Sequence, residues 1–195
     1  MCIRDSPSNV RYYAINYEFI KYIPLGHRWL ITDNATIDYA SALGHTTALP
    51  PYLNYFAGGP DTIRGYRESR LGPRDNIGLG NPFGGNFRLV NRLELVFPVP
   101  EKWKSAARVS LFFDMGNVFQ TGNTVKFLGV DDTTPVNYHF GYNELKKSAG
   151  LAVQWLAPLG LFRFSYGVPL NAYPGSTVRF NDETERFQFS IGQAF

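Results

Sequence analysis

The chain has 195 residues, a formal charge of +3, 44% hydrophobic and 16% aromatic residues, enough for one sizeable core or for part of a larger one. That charge is too small and too scattered for a nucleic-acid binder, and so many aromatics would collapse rather than leave a disordered chain. No stretch approaches the roughly 18–20 uninterrupted apolar residues of a membrane-spanning helix.

The first six residues, Met1 to Ser6, carry the single cysteine, Cys2, and lack the apolar core and cleavage site of a secretory signal. They read as a non-native leader or an ordinary frayed terminus, and are set aside. From there the pattern has period two, which places alternate side chains on opposite faces of a strand. Runs at about 10–23 and 29–40 alternate loosely, with Asp33 on the apolar side. Leu89, Leu93, Leu95 and Phe97 then oppose Arg88, Arg92 and Glu94. Val109, Leu111, Phe113 and Met115 oppose Arg108, Ser110, Phe112, Asp114 and Gly116. In 148–157, Ala149, Leu151, Val153 and Trp155 oppose Gly150, Ala152 and Gln154; in 161–168, Phe162, Phe164, Tyr166 and Val168 oppose Arg163, Ser165 and Gly167. At the end, Phe187, Phe189, Ile191 and Phe195 oppose Arg186, Gln188, Ser190 and Gly192. The spacing predicts an all-β chain of seven strands and no helix.

The predicted connections alternate in length: 24–28 short, 41–86 long, 98–106 short, 120–147 long, 158–160 short, 169–185 long. An antiparallel transmembrane barrel has short turns at one end and long loops at the other, whereas a soluble sandwich has more even links and an inward apolar face. Ten residues tilted near 45° cover roughly 24 Å, close to the apolar band of an outer-membrane barrel. The small and charged residues on the second face suit a wet lumen. Because an open edge is not viable in lipid, seven strands predict the C-terminal part of a longer closed barrel, with the missing strands upstream. Trp29, Trp155 and Phe195 fit an interfacial aromatic girdle or simple lipid-facing bulk.

No catalytic constellation is legible. His27, His45 and His139 stand apart without metal-ligand spacing, and Gly78-Leu79-Gly80 lacks the strand–helix setting of a nucleotide site. Asp131-Asp132 and Asp182-Glu183 read as solvated loop charge, the alternative being contact with a divalent ion near lipopolysaccharide. The expectation is a non-enzyme with no cofactor, no metal and no nucleic acid.

Three segments carry a resemblance. Gly58-Gly59-Pro60-Asp61-Thr62-Ile63-Arg64-Gly65-Tyr66 is similar to the loop motif of the Omp85 superfamily, with Ile63 where the motif has Val and Tyr66 where it has Phe. Phe113-Asp114-Met115-Gly116-Asn117-Val118-Phe119 resembles that family's strand before the next long loop. The terminus from Phe187 through Phe189, Ile191 and Gly192 to Phe195 resembles the closing strand of the family's barrel-assembly members and the β-signal of bacterial outer-membrane barrels. Ser148-Ala149-Gly150-Leu151 through Trp155 also fits that group. The resemblance runs from about Tyr12 to Phe195.

It implies a sixteen-stranded barrel preceded by POTRA domains, of which this chain holds residues 7–195 and no POTRA domain. It also implies that the loop of about 41–86 folds back into the lumen. Alternation alone turns Glu94 and Asp114 to the polar face; the resemblance implies that Arg64 pairs with both, beside a sharp turn at Gly65. Bland pore-lining charge is the alternative. The closing strand would meet the first strand at a weak seam, with Gly192 permitting a bend. The implied function is assembly of β-barrel proteins in the outer membrane of Gram-negative bacteria. The implied partners are outer-membrane lipids and lipopolysaccharide, unfolded β-barrel clients, and accessory lipoproteins reached mainly through the POTRA domains. The alternatives are a two-partner secretion pore, an autotransporter assembly protein or a passive porin.

Overall fold

The computed structural model describes residues 10–46, 48–75, 80–122, 127–128, 135–176 and 180–192. The leader with Cys2, Gly78 and Leu79, Asp131 and Asp132, and Phe195 lie outside the described residues.

The strands in chain order are β1 (Tyr12–Gly26), β2 (Trp29–Ala42), β3 (Gly65–Tyr66), β4 (Phe87–Val96), β5 (Ala107–Phe119), β6 (Phe127–Leu128), β7 (Pro135–Val136), β8 (Lys146–Ala157), β9 (Gly160–Pro169), β10 (Thr184–Glu185) and β11 (Phe187–Gly192). Seven of them form one sheet in the order β1-β2-β4-β5-β8-β9-β11, every neighbouring pair antiparallel. The four two-residue strands lie in the long connections and form two separate ladders, β10 with β3 and β6 with β7.

The ladder preserves parity from strand to strand. Tyr17 faces Ile37, Ile37 faces Leu89, Leu93 faces Phe113, Leu111 faces Leu151, Val153 faces Phe164, and Phe164 faces Phe189. Register is strongly specified here because a one-residue slip would exchange the two faces. One face is therefore apolar across all seven strands, and it is open: Ile15, Leu93, Leu151, Tyr166, Phe187 and Ile191 are all exposed. No second layer covers it among the described residues. Asp33 does fall on this face. Its Oδ1 accepts a 2.6 Å hydrogen bond from Asn91 Nδ2, and Lys21 is its cross-strand partner, so the polar group is not left bare.

Aromatic rings gather at both ends of the apolar face. At the short-turn end Trp29 meets Phe97 edge-on at 5.1 Å between centroids, and Trp155 lies 6.0 Å from Phe162. At the long-loop end a chain of contacts runs Tyr13–Tyr39–Phe87–Phe119–Phe140–Tyr142, with centroid spacings of 5.2 to 6.4 Å. Two such rows flanking an apolar band are the girdles of a membrane barrel. The sequence pointed only to the first row, because the second draws Phe140 and Tyr142 from a loop.

The first turn is tighter than expected. β1 continues through Pro24 with a register irregularity between Pro24 and Gly26, and only His27 and Arg28 turn the chain. Both have positive φ, 48° and 68°, the backbone of a two-residue primed turn that matches strand twist. Arg28 then pairs with Glu101 of the neighbouring turn.

The packed core lies on the other face of the sheet and is supplied largely by the long loop. Ala57, Ile63, Tyr66 and Leu71 of that loop pack with Val90 of β4 and Val118 of β5, and Ala172 closes against them. The polar residues of this face suggest a wet lumen; at this level the apolar side chains of the loop pack against it as a plug. Ile63 and Tyr66 are 0% exposed, and burying each such side chain contributes about 1.5–3 kcal/mol. Asn86 fixes the point where the loop re-enters the sheet, donating from Nδ2 to Ala40 O (3.1 Å) and accepting at Oδ1 from Thr121 N (2.7 Å).

Candidate functional site

The site forms where the plug meets the wall. Arg64 follows Ile63, whose burial carries the loop backbone onto β4 and β5. Arg64 Nε donates to Asp114 Oδ2 at 2.7 Å and Nη2 to Asp114 Oδ1 at 2.7 Å, a forked pair, while the Arg64 backbone N–H adds a 3.1 Å bond to Oδ2. Nη1 donates to Glu94 Oε1 at 2.6 Å. Glu94 Oε2 in turn accepts from Arg108 Nη2 (3.3 Å) and Ser110 Oγ (3.4 Å). Arg64 and Arg108 thus bond the two carboxylates, and Arg92 stands opposite Asp114 on β4 as a third positive charge.

The guanidinium carbon also lies 3.7 Å from the centroid of the Phe112 ring, so one face of the cation rests on an aromatic surface. Phe112 is an aromatic residue at a lumenal position, which alternation alone leaves unexplained. Asp114 is 0% exposed; a carboxylate at such depth is tolerable only with its oxygens bonded, as they are here.

The next two residues reach the far side of the sheet. Gly65 and Tyr66 form β3 and pair with Glu185 and Thr184 of β10, immediately before β11. The Gln188 side chain extends this ladder, accepting from Gly65 N (3.3 Å) at Oε1 and donating from Nε2 to Tyr66 O (2.7 Å). Gly65, at φ +87°, lies directly on Gly167 of β9: a Cβ at Gly65 would sit 3.2 Å from the carbonyl carbon and oxygen of Gly167. The Tyr66 hydroxyl meets Lys147 O and Asn171 Oδ1, each at 3.3 Å, and burial raises its pKa well above the ordinary tyrosine value.

A second ionic cluster sits beyond the plug. Glu183 pairs with Arg67 (2.7 Å), Arg74 (3.1 Å) and Arg70 (3.4 Å), and Asp182 with Lys146 (2.5 Å). Asp182 and Glu183 are therefore not solvated loop charge, as the sequence suggested: Glu183 ties two long loops together, and Asp182 ties its loop to the start of β8. Burial by itself raises the Glu183 pKa, yet the Arg67 hydrogen bond and the charges of Arg70 and Arg74 outweigh it and hold the carboxyl below its ordinary 4.5. A carboxylate lowered by folding stabilises above its unfolded pKa, and that contribution is lost as pH falls through the folded value. Protease protection of residues 67–74 is thus expected to persist through mild acid and to drop only below pH 4.5. Glu183→Gln should expose the same segment at neutral pH; equal protection there in variant and wild type would show that this tie holds nothing.

Of the residues expected from sequence, the fold brings together Ile63, Arg64, Gly65, Tyr66, Glu94 and Asp114. Phe187, Phe189 and Ile191 lie instead on the open apolar face of β11, and Gly192 pairs with Leu161 at the end of the strand. Sequence reasoning missed Phe112, Gly167, Glu183 and Gln188. The last stood out only as a polar residue on the lumenal side of a strand with a strongly apolar opposite face. His27, His45 and His139 are exposed, and no group of three or more His, Cys, Asp and Glu side chains is arranged to hold a metal among the described residues.

Comparison with known proteins matches residues 4–195 to the Omp85 superfamily domain. The outer membrane protein assembly factor BamA of Neisseria meningitidis serogroup B is 34% identical over 203 residues, covering 96% of this chain and 24% of that protein. BamA of Nitratidesulfovibrio vulgaris is 32% identical over 149 residues, covering 75% of this chain and 16% of that protein. The crystal structure of BamA from Haemophilus ducreyi lacking POTRA domains 1–3 superimposes with a TM-score of 0.74 at 28% identity, over 95% of this chain and 35% of that one. The chain thus spans about a quarter or less of the two curated relatives. The open sheet corresponds to part of a membrane β-barrel, with the arginine-anchored loop on its lumenal face. From the family match along nearly its whole length, this chain belongs to the Omp85 superfamily.

Proposed function

We propose that the chain is the closing part of an outer-membrane factor that folds and inserts β-barrel proteins into the outer membrane of a Gram-negative bacterium, without covalent chemistry. The reading draws on its relatives, which are outer membrane protein assembly factors. The observation that carries it is β11. Among the described residues this strand lies at one edge of the sheet, paired with β9 alone, with Phe187, Phe189 and Ile191 turned outward. In this reading the edge strand closes against the barrel's first strand, and Gly192 weakens that seam. When it parts, its N–H and C=O groups can be satisfied by an incoming client strand, which then grows by strand addition.

In this reading Arg64 clamps the inserted loop to Glu94 and Asp114, so that the lumen stays filled while the seam moves. The partners are unfolded β-barrel clients, the lipids and lipopolysaccharide around the apolar face, and accessory lipoproteins that bind mainly outside this segment.

The test is a disulfide between β11 and the first strand of the full-length protein. Locking the seam should stop client insertion, and reduction should restore it. Normal insertion by the locked protein would refute seam templating.

A further inference from the structure

The lumen-facing side chains of β11 differ sharply along its length. At the long-loop end Gln188 is buried and makes two hydrogen bonds to the loop backbone at Gly65 and Tyr66. Around it, Gly167 N donates to Arg186 O at 2.7 Å, Arg67 N donates to Glu183 O at 2.9 Å, and β10 pairs with β3. Two residues on, the Ser190 Oγ is buried without a hydrogen-bond partner among the described residues. Two further on, Gly192 has no side chain. The Arg163 guanidinium passes close to it, Nη2 lying 3.1 Å from where a Cβ would be, and Nη1 pairs with Asp61 of the loop at 2.8 Å. That ion pair is exposed at both partners and contributes little. Among the described residues, and beyond its ladder with β9, β11 makes side-chain hydrogen bonds to the interior at Gln188 alone.

We propose that Gln188 is a positioning residue that pins the long-loop end of β11 to the inserted loop, so that the strand swings about that end and the seam parts from the Gly192 end. This rests on the seam reading above and specifies its geometry. Gln188 suits the task because a carboxamide offers one acceptor and one donor, which matches the backbone N–H and C=O it meets. Through Gly65 it is one residue from Arg64, so the pin is anchored in turn by the ion cluster on β4 and β5. The consequence is directional. An incoming strand would meet free backbone groups first beside Ile191 and Gly192, while Phe187 stays in place.

Hydrogen exchange on the full-length wild-type protein tests the gradient without any variant. Amides at Phe187 and Gln188 should exchange roughly tenfold or more slowly than those at Ile191 and Gly192. Equal rates, or the reverse order, would overturn the proposal. Cysteine pairs joining the first strand to Phe187→Cys or to Ile191→Cys then read the two ends separately. In wild type the first pair should close in nearly all molecules with or without client, and the second should close less when client is present.

Gln188→Leu keeps the shape and removes both bonds. It should lower the disulfide yield at the Phe187 level by roughly fivefold or more. The Ile191 level and the protease protection of the Arg64 loop should change less than twofold. A merely structural lesion would lower all three together, and an unchanged Phe187-level yield would also overturn the pin. Gln188→Asn, too short by one methylene to reach both groups, should behave like Gln188→Leu; wild-type behaviour would count against the pin. Should neither pair close in the wild type, the seam reading itself fails, whereas the exchange gradient judges the pin alone.

Discussion

Arg64→Ala is expected to release the inserted loop, seen as rapid proteolysis between residues 52 and 74 in the full-length protein under conditions where wild type resists cleavage. The substitution strands Asp114, which is 0% exposed and has lost both guanidinium hydrogen bonds, beside Glu94. Removing one partner of a buried ion pair costs about 3–5 kcal/mol, less where water refills the space. At 1.4 kcal/mol per decade, the upper range shifts the equilibrium between seated and released loop by roughly a thousandfold. The exposed tie of Arg163 with Asp61 is worth about 0–1 kcal/mol, and the Glu183 cluster holds only residues 67–74, so neither replaces the anchor at Arg64. Arg64→Lys keeps the charge but not the fork, so it should lie between the two. Arg64→Met combined with Asp114→Leu should recover part of the loss, because the penalty comes from the abandoned charge rather than from a missing attraction. Wild-type resistance in Arg64→Ala would mean that the apolar plug alone seats the loop.

The wall of this molecule was legible because the two sides of each strand meet different media. Alternation in β4, β5, β8, β9 and β11 assigned the faces, and the alternating loop lengths gave the meander. Boundaries were less legible: β1 runs past Pro24 because the edge strand absorbs it in a register irregularity. Arg64, Glu94 and Asp114 could be brought together only through a family likeness, since they are 30 and 50 residues apart and no local rule joins them. The plug was illegible for the same reason. Val90 and Val118 break the polar pattern of their faces, but their explanation is Ile63, Tyr66 and Leu71 arriving from a loop. The same is true of Gln188, whose partners lie 122 and 123 residues away. What alternation reads is the solvent on each side of a strand; it is blind to a loop that replaces that solvent.

Gly65→Val should unseat the loop by another route, leaving the ion cluster chemically complete. The backbone at Gly65 has φ +87°, where a β-branched residue is badly strained, at about 1–3 kcal/mol. The new side chain must also displace the Gly167 backbone, 3.2 Å from its Cβ, and overpacking of this kind costs about 1–3 kcal/mol. Lifting residues 65–66 from β9 breaks the β3–β10 ladder and both Gln188 bonds at once. Residues 58–70 and 180–186 should therefore become protease-sensitive together, whereas Arg64→Ala should expose the first before the second. Two further variants separate strain from contact. Gly65→Ala carries both penalties in smaller measure. Gly167→Ala carries only the contact, its Cβ falling 3.0 Å from Gly65 N, with no positive φ to contend with. The expected order of destabilisation is Gly65→Val, then Gly65→Ala, then Gly167→Ala, read from the midpoint of heat-modified gel mobility. A neutral Gly167→Ala beside a costly Gly65→Ala would leave backbone strain as the whole effect, and the close approach of loop and wall would then place no demand on Gly167.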